Sequence, residues 1–202
     1  MIDARLLPLQ HRLLAPPARL LSRLALHADQ VTLTGFAIGF LVLPALWAGS
    51  FALAFLCIAL NRLADGLDGA LARLHGPTDR GAFLDIALDF LFYALVPLGF
   101  ALADPTRNAL PAAVLLTSFV GTGSSFLAFS VLAQKRGLTA ADYPSKGIAY
   151  LGGLTEGAET ILFFAAICHW PHIFPTLAYG FAIAAFITTA TRWIIGWRLF
   201  HP

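Results

Sequence analysis

Six apolar stretches, bounded by charges, glycines and prolines, set the strongest constraint on this chain: Val31 to Ala48, Phe51 to Ala72, Ala82 to Ala103, Leu110 to Leu132, Ile148 to Trp170 and Ile173 to Phe200. One helix crosses hydrocarbon with about 20 mostly apolar residues, so each stretch reads as one span, the last ending near Arg192 to Arg198. Only 12% of the 202 residues are charged and 58% are hydrophobic, whereas a soluble domain carries about 25% charged residues. The reading is an all-α integral membrane protein of six transmembrane helices forming a single domain over 1–202. Residues 31–200 make the bundle. Large multi-domain enzymes and repeat arrays are excluded by length. A net charge of +2 from scattered residues offers no basic patch, so no nucleic-acid partner is expected.

Residues 1–29 differ in pattern. Leucines at 6, 7, 13, 14, 20, 21 and 24 alternate with Arg5, Arg12, Arg19 and Arg23, whose spacing puts the arginines near one helical face. That pattern predicts an amphipathic helix lying in the membrane interface, in contact with lipid, with a break or kink at Pro16-Pro17. No cleavable signal is expected, because Asp3 interrupts the start. Cys57 and Cys168 lie far apart in apolar runs and read as inert thiols. With six spans, one side carries Arg5, Arg12, Arg19, Arg23, Arg73, Arg80, Lys135, Arg136, Lys146 and Arg198, and the other only Arg107. The basic side faces the cytoplasm, which places both termini there. Arg192 can snorkel to the interface, whereas Arg62 needs a partner or a polar cavity.

The acidic residues are distributed in a way that membrane burial does not explain. Of eleven, six fall inside predicted spans: Asp65, Asp68, Asp85, Asp89, Glu156 and Glu159. A carboxylate at the centre of a span costs about 3 kcal/mol or more, so these must face a cavity, a partner or a metal. Asp65 and Asp68 are three apart, Asp85 and Asp89 four apart, so each pair shares a helical face. The two helices are antiparallel neighbours, and at about 1.5 Å rise per residue Asp68 and Asp85 match at about 6–8 Å of depth, Asp65 and Asp89 at about 12 Å. Four converging carboxylates raise one another's pKa unless a counter-charge is present. Hard divalent cations supply it, and oxygen-only ligands point to Mg²⁺, Mn²⁺ or Ca²⁺, two of which would balance four carboxylates.

Read from Asp65, the chain runs DGLDGALARLHGPTDRGAFLDIALD. This is DxxDGxxARxxxxxxxGxxxDxxxD, with Asp65, Asp68, Gly69, Ala72, Arg73, Gly81, Asp85 and Asp89 in place. The pattern resembles the signature of the CDP-alcohol phosphotransferase family, and the chain is similar to its small bacterial inner-membrane members. The resemblance implies a CDP-linked lipid donor, commonly CDP-diacylglycerol, attacked at phosphorus by an acceptor hydroxyl on a small polar alcohol or a lipid, with release of CMP. It implies two ions, Mg²⁺ or Mn²⁺, per active site on the cytoplasmic side. Asp65, Asp68 and Asp85 would hold them, with Asp89 completing the second site and acting as general base. Gly69 and Ala72 would let cytidine approach, Arg73 would offer its fork to phosphate, and a homodimer is the usual assembly.

Weaker expectations surround this core. Thr78, three residues before Gly81, would place a hydroxyl on the nucleotide, or is a plain loop threonine. Asp29 and Gln30 would face the nucleotide or cap a helix; the family's Thr-Pro before this pair is replaced by His27-Ala28. Glu156 and Glu159, two to three turns into the fifth span, would line the acceptor pocket or form a buried network that pairs with Arg62. Lys135 and Lys146 could meet an acceptor phosphate, or reflect only the cytoplasmic bias in basic residues. Members that accept anionic sugar phosphates tend to carry arginines among this acidic pair, where this chain has Gly157, Ala158 and Thr160. Competing readings are an intramembrane cation transporter, a non-catalytic CDP-lipid binder, and a prenyltransferase, for which six spans leave too little room. Gly35xxxGly39, Gly153xxxGly157 and the run from Gly121 to Ser125 read as faces for close helix packing.

Overall fold

A computed structural model of the chain describes residues 3–137 and 153–201, and all of its regular structure there is helical. Eight α-helices follow in order: α1 Asp3–Arg23, α2 Ala28–Phe40, α3 Val42–Trp47, α4 Phe51–His75, α5 Asp79–Ala103, α6 Pro105–Lys135, α7 Gly157–His169 and α8 Phe174–Leu199, with a 3₁₀ turn at Pro171–Ile173. Helices are what a hydrocarbon environment selects, since each satisfies its backbone groups internally. Among the described residues, four segments are long and apolar enough to cross a membrane: Ala28–Trp47, Asp79–Ala103, Pro105–Lys135 and Pro171–Leu199. Of the other two predicted spans, α4 carries Arg62, Asp65, Asp68 and Arg73, and α7 has 13 residues.

Three boundaries differ from the sequence reading. The first apolar stretch forms two helices because Pro44 has no N–H for the Phe40 carbonyl and its ring crowds that carbonyl; α2 ends at Phe40 and α3 begins at Val42. In α1 the prolines do not end the helix, which runs from Asp3 to Arg23. Tertiary packing outweighs the lost hydrogen bonds there: Ala18 is fully buried against Ala70 and Leu71 of α4, with Leu14 and Leu21 beside it. Of the fifth stretch, Gly157–His169 is helical and residues 148–152 lie outside the described residues. So does Lys146, as do the side chains of Arg5, Leu6 and Leu7.

The core runs along the middle of the bundle, where Phe92, Val96 and Phe100 of α5 meet Phe164 and Ile167 of α7 and Phe174 and Ala178 of α8. Phe100 stacks on Phe174 with centroids 4.3 Å apart, and Phe163 on Phe181 at 4.4 Å. The outside is apolar too: Val120, Leu110 and Trp197 are 69%, 67% and 81% exposed, a surface suited to lipid.

Small residues bring α2 against α4. A Cβ on Gly35 would stand 2.5 Å from that of Ala64, and one on Gly39 would stand 2.8 Å from Asn61 Nδ2 and 2.9 Å from the Phe92 ring. Gly39→Val therefore overpacks this seam and should lower stability by about 1–3 kcal/mol. Thermal denaturation in detergent, with Gly180→Ala as the control where a Cβ meets nothing, reads that difference.

The ends of the helices are tied by polar contacts. Ser22 Oγ lies 2.7 Å from His75 Nε2, linking α1 to the end of α4, and Arg136 donates to the Leu199 and Phe200 carbonyls at 3.2 and 3.0 Å, linking the ends of α6 and α8. At the other end of the bundle Arg107 donates to the His172 carbonyl. Arg192 donates to the Thr122 carbonyl at 2.9 Å and lies over the Phe126 ring.

Candidate active site

The turn between α4 and α5 brings the aspartates of the two helices together. Gly76 adopts φ 94°, a backbone state that side chains disfavour, and lets the chain reverse within three residues. Thr78 then caps α5, its Oγ1 accepting from Gly81 N–H at 3.0 Å. Oxygens of Asp65, Asp68 and Asp85 consequently lie within 4.8 Å of one another. Asp68 is buried and accepts from Thr32 Oγ1 of α2 at 2.5 Å, which fixes one oxygen. An oxygen-only set of this closeness, running from buried Asp68 through half-buried Asp65 to exposed Asp85, fits a hard divalent cation. A polar cavity of about 10 Å³ lies among Thr32, Asn61, Arg62 and the four aspartates, room for about one water-sized particle.

Asp89 stands apart from the other three. Arg62 donates to both its oxygens, Nη2 to Oδ1 at 2.6 Å and Nη1 to Oδ2 at 3.2 Å, while its nearest approach to Asp65 is 3.7 Å. Asn61 holds the guanidinium from the other side, its Oδ1 accepting from Nε and Nη2 at 2.8 and 2.6 Å. Asn61 is in turn anchored by donating to the Gly35 carbonyl at 3.0 Å. The guanidinium carbon lies 4.7 Å from the Phe92 ring centroid and 5.3 Å from that of Tyr93. Arg62 thus has the partner its position in a span requires. Spacing did not fix which carboxylate would take Arg62; the register of the α4–α5 hairpin selects Asp89, 27 residues on.

Beside the aspartates opens a cavity of about 670 Å³ whose walls include Asp68, Gly69, Ala72, Thr78, Gly81 and Asp85. Its other walls include residues that the spacing did not single out, Ser22, His27, His75 and Arg80. Arg80 bonds Asp29 Oδ2 through Nε at 2.6 Å and Nη2 at 2.5 Å, so Asp29 lines the cavity as an anchor for a cation. A Cβ on Gly81 would stand 3.1 Å from Thr78 Oγ1 and 3.2 Å from Asp29 Oδ1, so bulk here would disturb that corner. Arg73 reaches back over Gly69, with Nη1 3.5 Å from where a Cβ would be.

Gln30 follows the capping alternative: its Oε1 accepts from His27 N–H at 3.0 Å at the start of α2. Glu156 and Glu159 lie at the start of α7, and not two to three turns inside a span. Glu156 is the N-cap residue and accepts from Gly153 N–H at 3.0 Å, and Glu159 accepts from Glu156 N–H at 3.3 Å. The helix begins late because these side chains satisfy its first amides. The pairing of Arg62 with this acidic pair does not form; Asp89 takes its place. Lys135 lies in the last turn of α6, exposed.

The chain is 52% identical over 192 residues to the Escherichia coli inner membrane protein YnjF, covering 95% of this chain and 93% of that protein. It is 31% identical over 160 residues to the archaetidylinositol phosphate synthase of Methanothermobacter thermautotrophicus, covering 79% and 73%. Its fold is similar to that of the Mycobacterium tuberculosis phosphatidylinositol phosphate synthase, solved with CDP-DAG bound (TM-score 0.67, 24% identity, 92% of this chain and 94% of that one). The same enzyme in complex with manganese and citrate gives a TM-score of 0.66 at 24% identity, over 91% and 88%. The CDP-alcohol phosphatidyltransferase family matches residues 25–198. This chain, with its aspartate cluster beside a cavity of about 670 Å³, belongs to that family and is a phosphotransferase enzyme.

Proposed function

We propose that the enzyme transfers a phosphatidyl or similar phospho-alcohol group from a CDP-linked lipid, such as CDP-diacylglycerol, to an acceptor hydroxyl and releases CMP. The observation that carries this reading is the opening of a 670 Å³ cavity directly onto Asp68 and Asp85, two of the three convergent carboxylates. Asp65, Asp68 and Asp85 would hold a divalent cation, Mg²⁺ or Mn²⁺, with Asp89 sharing in a second. When bound, such ions neutralise charge that develops on the departing CMP. Gly69 and Ala72 leave the cavity wall flat for cytidine, and Arg80, braced by Asp29, supplies a positive charge at its rim. Asp89 takes the acceptor hydroxyl proton while the acceptor oxygen forms its bond to phosphorus; the bond to the bridging oxygen breaks, and that electron pair leaves with CMP.

The active site and both termini face the cytoplasm in this reading, on six spans with α1 in the interface, and two chains form a homodimer. A relative named an inner membrane protein supports an inner-membrane location. Two relatives are named for inositol phosphate products, whereas Glu156 and Glu159 are flanked by Gly157, Ala158 and Thr160 and by no arginine. Acceptor contacts are assigned to the region of Glu156, Glu159, Lys135 and Lys146. The test is CMP release from CDP-diacylglycerol with Mg²⁺ or Mn²⁺ and each of glycerol phosphate, serine, inositol, inositol phosphate, choline and phosphatidylglycerol. One acceptor should raise the rate far above that with water. No release with any, from folded protein, refutes the reading.

Within this reading Arg80→Ala should raise the KM for the donor by about 3- to 10-fold and leave kcat within about twofold, because an exposed cation contributes about 1 kcal/mol to binding. Steady-state kinetics separate the two constants.

A further inference from the structure

We propose that Arg62 is a positioning residue acting as a resident counter-cation for Asp89, so that the four aspartates take up divalent cations one at a time rather than as a preformed pair. This rests on the metal-dependent transfer proposed above and concerns a residue outside the eight-position motif. Three observations carry it. Asp65, Asp68 and Asp85 converge within 4.8 Å of one another, and Asp89 is not part of that group. Both Asp89 oxygens are engaged by one guanidinium, at 2.6 and 3.2 Å. The space among the four aspartates and Arg62 is about 10 Å³, enough for about one ion-sized occupant.

The guanidinium is not a loose surface group that would drift away. Asn61 grips it through two bonds to Oδ1 and is itself tied to the α2 backbone at Gly35. Phe92 and Tyr93 cover it, and Nη1 also lies 3.4 Å from the Tyr93 hydroxyl. Bidentate charge-assisted hydrogen bonds are among the stronger polar contacts in proteins, and here they lie in partly buried surroundings. A second ion at Asp89 therefore meets a carboxylate whose charge is already balanced and one lone pair of each of whose oxygens is already engaged by Arg62. Ion uptake by the three-carboxylate group leaves this pair intact, and a second ion competes with it.

The test is Mn²⁺ binding to the purified full-length chain in detergent without nucleotide, followed by electron paramagnetic resonance titration. Wild type should bind one Mn²⁺ tightly and a second at least about tenfold more weakly. Arg62→Met keeps length and contact with the rings but removes the charge and the fork. It should tighten the second ion by about tenfold or more and change the first by less. Asn61→Ala, which loosens the grip and keeps the charge, and Arg62→Lys, which keeps the charge and loses the fork, should fall between. Equal or weaker second-ion binding in Arg62→Met overturns the proposal. If that variant does not fold, wild-type second-ion affinity in Asn61→Ala and Arg62→Lys overturns it instead. A wild-type chain that binds no Mn²⁺, or binds it unchanged after Asp65→Asn with Asp85→Asn, contradicts the metal-dependent reading itself, a different failure.

Discussion

Asp89→Asn should abolish CMP release, lowering kcat by about 10³-fold, within the range of general acid and base contributions, while the donor KM changes little. The amide matches the carboxylate in shape and can still accept from Arg62 through its oxygen, but it cannot take the acceptor proton. Asp89 lies outside the group of three mutually close carboxylates, so tight binding of the first Mn²⁺ should survive. Loss of rate together with retained first-ion affinity separates the role of Asp89 from that of its neighbours. Loss of both would place Asp89 among the primary ligands.

The second large effect is expected at Asp68 and Asp85. Either Asp→Asn change should lower CMP release by at least about 100-fold, on the scale seen when one charge-stabilising contact is removed from a transition state. Here, however, tight Mn²⁺ binding should be lost as well. The same substitutions should leave the melting temperature of metal-free protein unchanged or higher, because three carboxylates within 4.8 Å repel one another when no cation lies between them. Thermal denaturation with chelator, set beside the rate, reads both. A fall in both activity and metal-free stability would mean that these side chains hold the helices together rather than a cation.

The parts of the site that could be read from sequence were those built from local spacing. Asp65 and Asp68, or Asp85 and Asp89, share a face because of helical periodicity, and the short connection through Gly76 brings the two faces together. The same regularity made the eight-position motif legible over one continuous segment. The separation of Asp89 from the other three was not legible. It depends on the register between α4 and α5 and on an arginine held by Asn61, Gly35 and two aromatic rings from three different helices. Hydropathy likewise gave the apolar stretches but not their ends. Pro44 divides one stretch, and the capping contacts of Glu156 and Glu159 start another helix well inside its apolar run. Pro16-Pro17 shows the converse, a local signal overridden when Ala18 is buried against α4.

Arg80 and His75 illustrate a further kind of omission. Arg80 entered the sequence reading only among the basic residues of one membrane side and His75 not at all, yet the fold turns both onto the wall of the cavity beside Gly69 and Ala72. Their roles emerge only when α1, α2, α4 and α5 are assembled, as the contacts from Ser22 to His75 and from Arg80 to Asp29 show.

The most direct measurement quantifies, in one reaction of purified enzyme with CDP-diacylglycerol, Mn²⁺ and the acceptor panel, both the CMP released and the phospholipid formed by mass spectrometry. The account predicts equal amounts of CMP and a new phospholipid carrying one acceptor, both lost with chelator and with Asp68→Asn. CMP and phospholipid formed at undiminished rates by the Asp68→Asn protein, or neither product from a folded wild-type chain that binds Mn²⁺, would contradict it.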